Sequence, residues 1–230
     1  MNIMGLQKLT LLDFPEHMAC TVFLGGCNFR CPFCHNSSLV IDVDDTPQIT
    51  EEEFFAFLKK RQGILDGVCI TGGEPTLEPE LEAFIYKVKE LGYSVKLDTN
   101  GFLPDKLISL AQKGLVDYVA MDIKSSLSGY SEATGIKNIN LEPIKKSVDF
   151  LLSKKVPYEF RTTVVKELHT EKEMQDIALW LVGDSNYYLQ HFVDSGDLIA
   201  DGLNGYDESE MKNLLKIVKK HLPNAKIRGV

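Results

Sequence analysis

The sequence predicts an α/β fold with a parallel sheet. Apolar runs of strand length alternate six times with segments of helical period along the 230 residues. Neighbouring parallel strands need long crossover connections, and helices supply them. No linker rich in Pro, Gly or Ser divides the sequence, so we expect one domain over residues 1–230. Right-handed crossovers leave two architectures open, a doubly wound sheet and a curved partial barrel.

Local signals mark the ends of the predicted elements. Thr50 and Glu53 form a capping-box pattern at the start of the first helix. Gly92 and Gly114 end two later helices, and Pro143 lies in the first turn of another. The predicted strands are Ala19–Leu24, Gly67–Thr71, Ser94–Thr99, Val116–Asp122, Tyr158–Val165, Asn186–Phe192 and Ala225–Arg228. After the helix that Thr50 opens, the predicted helices are Glu78–Leu91, Pro104–Lys113, Leu141–Lys154, Thr170–Val182 and Asp207–His221.

Composition excludes several classes of protein. The net charge of −8 argues against nucleic-acid partners, since neutralising phosphates calls for a basic face. No stretch approaches the ~20 apolar residues that span a bilayer, and the N-terminus lacks a secretory signal. We therefore expect a cytoplasmic protein without a membrane partner.

Five cysteines are too few for a disulfide scaffold. Cys20 and Cys69 are expected to be buried structural thiols, because their neighbours are apolar.

The other three cysteines, Cys27, Cys31 and Cys34, follow the first strand with the spacing C-x3-C-x2-C. Ligands of parallel α/β sheets bind at this end of the strands. Cys31 and Cys34 alone resemble a thioredoxin-type pair, and with His35 they match a c-type haem attachment site. Structural zinc would need a fourth ligand. Three thiolates suit a 4Fe-4S cluster with one open iron, because most such clusters have four cysteine ligands.

Two motifs together resemble those of the radical S-adenosylmethionine (SAM) superfamily: the three cysteines with Phe33, and Thr71-Gly72-Gly73-Glu74-Pro75 after the second strand. Closer similarity is to activating proteins of glycyl-radical enzymes, in particular those of anaerobic ribonucleoside-triphosphate reductase. This similarity is carried by Leu12-Asp13-Phe14-Pro15, Phe23-Leu24-Gly25-Gly26-Cys27-Asn28, Cys34-His35-Asn36, Leu97-Asp98-Thr99-Asn100-Gly101, Met121-Asp122-Ile123-Lys124 and Ile227-Arg228-Gly229. The resemblance implies a partial (β/α)6 TIM-like barrel of the radical SAM type.

The resemblance also implies the cofactors and their residues. One 4Fe-4S cluster would be held by Cys27, Cys31 and Cys34, and a monovalent cation would lie near Asp98 and Asp122. The residues expected around SAM are Phe33, His35, Gly72, Gly73, Glu74, Asp98, Thr99, Asp122, Lys124, Arg161 and His191. Among them, the Gly-Gly-Glu turn would hold the SAM amino group and Lys124 would contact SAM directly.

Some residue roles stay open at this level. Asp98 could instead be a turn residue. Asp122 and Lys124 could form an ion pair on the surface, and Arg161 could be a strand residue that only makes a salt bridge. His191 is the least specific member of the set, since the family often has glutamine or another polar residue near this point. No acid–base catalytic residue is implied.

The implied reaction is a reductive cleavage of SAM that gives a 5'-deoxyadenosyl radical, which would then generate a glycyl radical on a partner enzyme. The expected partner is an anaerobic ribonucleoside-triphosphate reductase, with flavodoxin or ferredoxin as the electron donor. One alternative is a radical SAM enzyme that acts on a small molecule or peptide, such as a 7-carboxy-7-deazaguanine synthase. Another is a metal or redox module without catalytic activity.

Overall fold

The strands of the sheet follow one another in chain order from edge to edge. The computed structural model describes residues 1–41, 43, 48–183, 186–194, 196 and 198–229. Within these ranges the strands are β1 (Ile3–Thr10), β2 (Ala19–Leu24), β3 (Gly67–Gly72), β4 (Ser94–Thr99), β5 (Tyr118–Asp122), β6 (Tyr158–Val164), β7 (Tyr187–His191) and β8 (Lys226–Arg228). Strands β2 to β8 pair in parallel, as predicted, and β1 adds an antiparallel edge to β2.

Helices connect the parallel strands. In the described ranges they are α1 (Glu51–Arg61), α2 (Leu81–Glu90), α3 (Pro104–Gln112), α4 (Tyr130–Thr134), α5 (Glu142–Leu152), α6 (Glu171–Trp180) and α7 (Glu208–Val218). The capping box predicted for α1 is present, since Thr50 Oγ1 accepts from the Glu53 amide and the Glu53 carboxylate accepts from the Thr50 amide. None of the described helices is both long and apolar enough to cross a bilayer.

Three differences from the sequence prediction have local reasons, and the other element ends lie within three residues of those predicted. Strand β1 was not predicted, because Gly5 and Lys8 interrupt its apolar pattern and its second half is largely exposed. Helix α2 begins at Leu81 rather than Glu78, since Pro75–Leu77 form a separate 3₁₀ turn. Helix α4 has five residues, too few for a helical period to be visible in the sequence.

The two faces of the sheet have opposite chemistry because side chains alternate along each strand. The outer face carries the core and packs under the helices; its fully buried members include Val68, Ile70, Val95, Leu97, Val119, Met121, Phe160 and Leu189. Burial of each such side chain contributes about 1.5–3 kcal/mol. The inner face carries charge instead, as in the pairing of the Arg228 guanidinium with the buried Glu159 carboxylate at 2.8 and 2.9 Å. The fold thus leaves a polar concave face for a ligand.

Candidate active site

A cavity of about 270 Å³ lies at the carboxyl ends of the parallel strands. Its lining comes from the loop after β2 and from β3, β4, β5, β6 and β7, so the sheet curves around it. Twelve of the fourteen predicted site residues line it: Cys27, Cys31, Cys34, Phe33, His35, Gly72, Gly73, Asp98, Thr99, Asp122, Lys124 and Arg161. Glu74 and His191 do not. The lining residues that were not among the predicted site residues are Phe29, Asn36, Val40, Thr71, Asn100, Thr163 and Gln190.

The segment 25–36, which we call the cysteine loop, is fixed by bonds to its own backbone and to α4. The Arg30 guanidinium donates to the carbonyls of Cys27 and Phe29 at 2.7 and 2.8 Å. The Arg30 amide donates to the carbonyl of Thr134, the last residue of α4, at 2.9 Å. A Cβ at the next residue, Gly135, would meet the Arg30 carbonyl oxygen at 2.5 Å. The short helix α4 therefore positions the loop that carries the three thiols.

The far side of the cysteine loop contacts the segment after β7. The His35 ring lies 2.8 Å from the carbonyl oxygen of Val193 through Nε2 and packs against the Phe192 ring at a centroid distance of 5.2 Å. The Ala200 amide donates to the Pro32 carbonyl at 3.0 Å. Both the aromatic part and the backbone of the motif are thus anchored before any cofactor binds.

Burial favours the protonated form of two of the cavity thiols, Cys27 and Cys31. Burial raises the pKa of Cys31 to about 12, against the opposing effect of the Lys124 ammonium. Burial also raises the pKa of Cys27, and the Phe29 amide only partly offsets this. Metal binding at these thiols would therefore release protons. Cys20 and Cys69 are fully buried, as predicted, and burial raises the pKa of both.

A row of alternating charges extends along the inner face of the sheet into the cavity, which four of its five members line. We call it the charge ladder; it consists of Lys96, Asp98, Arg161, Asp122 and Lys124. Arg161 bridges the two carboxylates, donating to Asp98 Oδ2 from Nη2 at 3.0 Å and to Asp122 from Nε. The Lys124 ammonium donates to Asp122 at 3.1 Å. Asp122 and Lys124 are thus part of a mostly buried network and not a surface pair.

The ladder holds its carboxylates in the charged form. Burial alone raises the pKa of Asp122, but the charges of Arg161 and Lys124 outweigh it and hold that pKa well below its usual range. The pKa of Asp98 is lowered in the same way, with burial opposed by Arg161 and Lys96. The cavity therefore presents fixed charges near neutral pH and no group poised for proton transfer in this row.

Glu74 lies behind the cavity wall instead of facing into it. Its carboxylate accepts from the Thr76 amide at 3.1 Å, the Thr99 hydroxyl at 2.8 Å and the Asn100 amide at 2.6 Å, and it is 1% exposed. Asn100 in turn donates through Nδ2 to the Asn28 side-chain oxygen of the cysteine loop at 2.8 Å. In this arrangement Glu74 joins the ends of β3 and β4 to that loop.

His191 also points away from the cavity. Its Nε2 lies 2.7 Å from the carbonyl oxygen of Tyr206, and it pairs in register with Val164, which belongs to the outer face. The neighbouring residue Gln190 pairs with Thr163, and both line the cavity. Thr163 lies two residues after Arg161, so the alternation of side chains along β6 indicates that it faces the cavity. Gln190 faces the cavity as well, because it pairs with Thr163.

His169 supports the site without lining it. The ring is fully buried, and its Nδ1 accepts from the Val165 amide at 3.0 Å, so Nε2 carries the proton and donates to the Lys124 carbonyl at 2.8 Å. Burial lowers its pKa, which keeps the ring neutral. Its edge-to-face contact with Phe33, at a centroid distance of 5.8 Å, links Lys124 to the cysteine loop.

The glycines of the Gly-Gly-Glu turn allow β3 to approach the cysteine loop. A Cβ on Gly73 would lie 2.0 Å from the carbonyl oxygen of Gly26, to which the Glu74 amide donates at 2.8 Å. We expect Gly73→Ala to displace the cysteine loop and to lower the free energy of unfolding by about 1–3 kcal/mol, measured by urea denaturation. Gly5→Ala is the control, because its Cβ would make ordinary contacts at 3.6 Å or more. Equal stability of the two variants would contradict this account.

Comparisons with known proteins agree with this architecture. The sequence profile of the Radical SAM superfamily matches residues 21–181. The chain is 33% identical over 234 positions to a Methanocaldococcus jannaschii protein named "Putative glycyl-radical enzyme activating enzyme MJ1227", covering 99% of this chain and 96% of that protein.

Two solved structures share the fold. A domain of pyruvate-formate lyase-activating enzyme from Bacteroides vulgatus superposes with a TM-score of 0.57 at 20% identity, covering 71% of this chain and 99% of that one. Streptococcus suis SuiB bound to S-adenosylmethionine gives 0.68 at 15% identity, covering 89% of this chain and 48% of that one. These likenesses confirm the expected partial barrel. Since the superfamily profile covers most of the chain and one relative aligns over nearly its whole length, the chain belongs to the radical SAM superfamily.

Proposed function

We propose that this radical SAM enzyme is a single-domain activase, which cleaves SAM reductively and generates a glycyl radical on a partner enzyme. The observation that carries the proposal is a single cavity lined by three thiols together with Asp98, Asp122, Lys124 and Arg161. Its partner class is suggested by the name of the Methanocaldococcus jannaschii relative, which aligns over nearly the full length of both chains. The partner we propose is an anaerobic ribonucleoside-triphosphate reductase, with flavodoxin or ferredoxin as the electron donor.

The donor set fits an iron–sulfur cluster. Cys27, Cys31 and Cys34 all line the cavity, and thiolates are the usual ligands of such clusters. Among the described residues, no three His, Cys, Asp or Glu side chains are arranged to hold a single metal ion. An iron–sulfur cluster does not require its ligands to converge on one ion, because each thiolate binds a different iron. Three thiols would leave the fourth iron of a 4Fe-4S cluster without a protein ligand, and that supports SAM as its remaining ligand.

The rest of the lining fits the parts of SAM. Lys124 and Arg161 present positive charge to a carboxylate, and Asn36 and Gln190 offer neutral donors and acceptors. When bound, the cluster and SAM together supply a one-electron cleavage that yields methionine and a 5'-deoxyadenosyl radical. The aromatic rings of Phe29 and Phe33 reduce access of water to the reacting atoms. Asn100 holds the cysteine loop in register with β4 through Asn28.

The first test is SAM cleavage by the purified chain. Protein reconstituted anaerobically with iron and sulfide, reduced with dithionite and given SAM is expected to release 5'-deoxyadenosine and methionine in equal amounts, quantified by chromatography. A colourless protein that retains zinc and releases no 5'-deoxyadenosine would overturn the proposed chemistry.

The second test is transfer of the radical to a partner. Co-incubation with an anaerobic ribonucleotide reductase is expected to produce a glycyl-radical EPR doublet that is absent when SAM is omitted. Formation of 5'-deoxyadenosine without this signal, together with turnover of an added small molecule or peptide, would favour the alternative substrate class.

A further inference from the structure

The two carboxylates expected to bind a monovalent cation are already paired with cations of the chain itself. One oxygen of Asp98 accepts from the Lys96 ammonium and the other from Arg161 at 3.0 Å. One oxygen of Asp122 accepts from Arg161 and the other from Lys124 at 3.1 Å. All four carboxylate oxygens therefore have a positively charged donor.

Two neighbouring side chains, Thr99 and Ala120, add no uncommitted oxygen to such an ion site. The Thr99 hydroxyl accepts from the Gly101 amide at 3.1 Å and donates to Glu74 at 2.8 Å, behind the cavity wall. Ala120, which pairs with Asp98 in the sheet, has no side-chain oxygen or nitrogen that could coordinate an ion. The residues present thus do not fit a bound sodium or potassium ion.

The charge balance gives the same result. The ladder contains three cations and two carboxylates, a sum of +1, so a further cation between Asp98 and Asp122 would lie close to several like charges. Lys96 cannot withdraw to water, because its side chain is only 2% exposed. Its ammonium lies between Asp98 and the sulfur of Cys69, which is 3.8 Å away.

We propose that Lys96 and Arg161 replace the monovalent cation in this chain, so that SAM binding requires neither sodium nor potassium. Lys96 is then a positioning residue: it fixes the Asp98 carboxylate, which orients Arg161 toward the cavity. This inference rests on the SAM site proposed above.

The wild-type protein tests the idea without any substitution. The dissociation constant of SAM for the reconstituted protein is measured by equilibrium dialysis in choline chloride and in potassium chloride of equal ionic strength. We expect the two values to agree within about twofold. Binding that weakens by about tenfold or more in choline would overturn the proposal. Formation of 5'-deoxyadenosine by the same preparation in potassium chloride reports separately whether the SAM site itself functions.

Lys96→Met should convert the site into one that responds to potassium. In choline we expect SAM to bind this variant about tenfold more weakly than wild type, with most of the loss restored by potassium. Lys89→Met is the matched control, since Lys89 pairs with Asp117 at 2.7 Å outside the cavity lining; SAM binding by this variant should match wild type in both salts.

A second measurement covers the case in which the loaded Lys96→Met protein is too unstable for dialysis. The thermal midpoint of the variant apoprotein should rise in potassium relative to choline, while that of wild type should not. SAM binding or a thermal midpoint that is the same for Lys96→Met in both salts would show that Lys96 does not replace an ion.

Discussion

Cys31→Ala should abolish cluster assembly and with it SAM cleavage. The cavity contains three thiols, and removal of one leaves a cluster with too few protein ligands for retention. We expect 5'-deoxyadenosine formation to fall by about a hundredfold or more, beyond the loss typical of a residue that only supports a metal ligand. Iron and sulfide content, the visible absorption of the reconstituted protein and the yield of 5'-deoxyadenosine measure this together.

Cys20→Ala is the matched control for that experiment. Cys20 is 0% exposed, but it lies among the apolar side chains of the core and does not line the cavity. Its replacement should lower the free energy of unfolding by about 1 kcal/mol and leave iron content and SAM cleavage unchanged. Undiminished iron in Cys31→Ala, or an equal loss in Cys20→Ala, would contradict assignment of the cluster to the C-x3-C-x2-C loop.

The repeating pattern of the sequence predicts the fold because each strand–helix unit carries its own signals. The limits of β2 and β4 are as predicted, and the capping residues Thr50 and Thr170 begin α1 and α6. Strand β1 lacks such signals: it lies at the edge of the sheet, and its pairing with β2 contains two register shifts. Its position depends on tertiary contacts, such as the bridge between Ile3 and Ile49, which no local pattern encodes.

The candidate site was less predictable because its residues depend on the face to which each strand position points. The motifs at the strand ends supply the three cysteines, Asp98, Asp122 and Lys124, which line one cavity. Motif spacing does not distinguish Gln190 from His191, which lie on opposite faces of β7. Nor does it show that the Glu74 carboxylate is satisfied by backbone and hydroxyl donors behind the wall. These outcomes follow from strand register and buried hydrogen bonds.

Arg161→Met should destabilise the apoprotein strongly, since Arg161 is the one residue of the ladder that contacts both carboxylates. Without it, Asp98 and Asp122 each lose a partner in a mostly buried site and repel one another. Breaking a buried ion pair from one side costs about 3–5 kcal/mol, and we expect a loss of that size in urea denaturation at pH 7. Arg61→Met, which removes an exposed arginine on α1, should stay within about 0.5 kcal/mol of wild type.

The pH dependence of this loss separates electrostatic from steric effects. Asp98 and Asp122 have folded-state pKa values below their unfolded values, because Arg161 with Lys96 and Lys124 outweighs the opposing effect of burial. Their contribution to stability is therefore complete above about pH 4 and is lost as the pH falls through the lower folded-state values. Removal of Arg161 raises both pKa values, so the stability of Arg161→Met should begin to fall at a higher pH than that of wild type. The stability of Arg161→Lys should begin to fall at a pH between those of wild type and Arg161→Met. An ammonium keeps the positive charge, but it cannot bridge both carboxylates as a planar guanidinium does. Parallel stability curves for wild type and Arg161→Met from pH 7 to acid would instead assign the loss to packing alone.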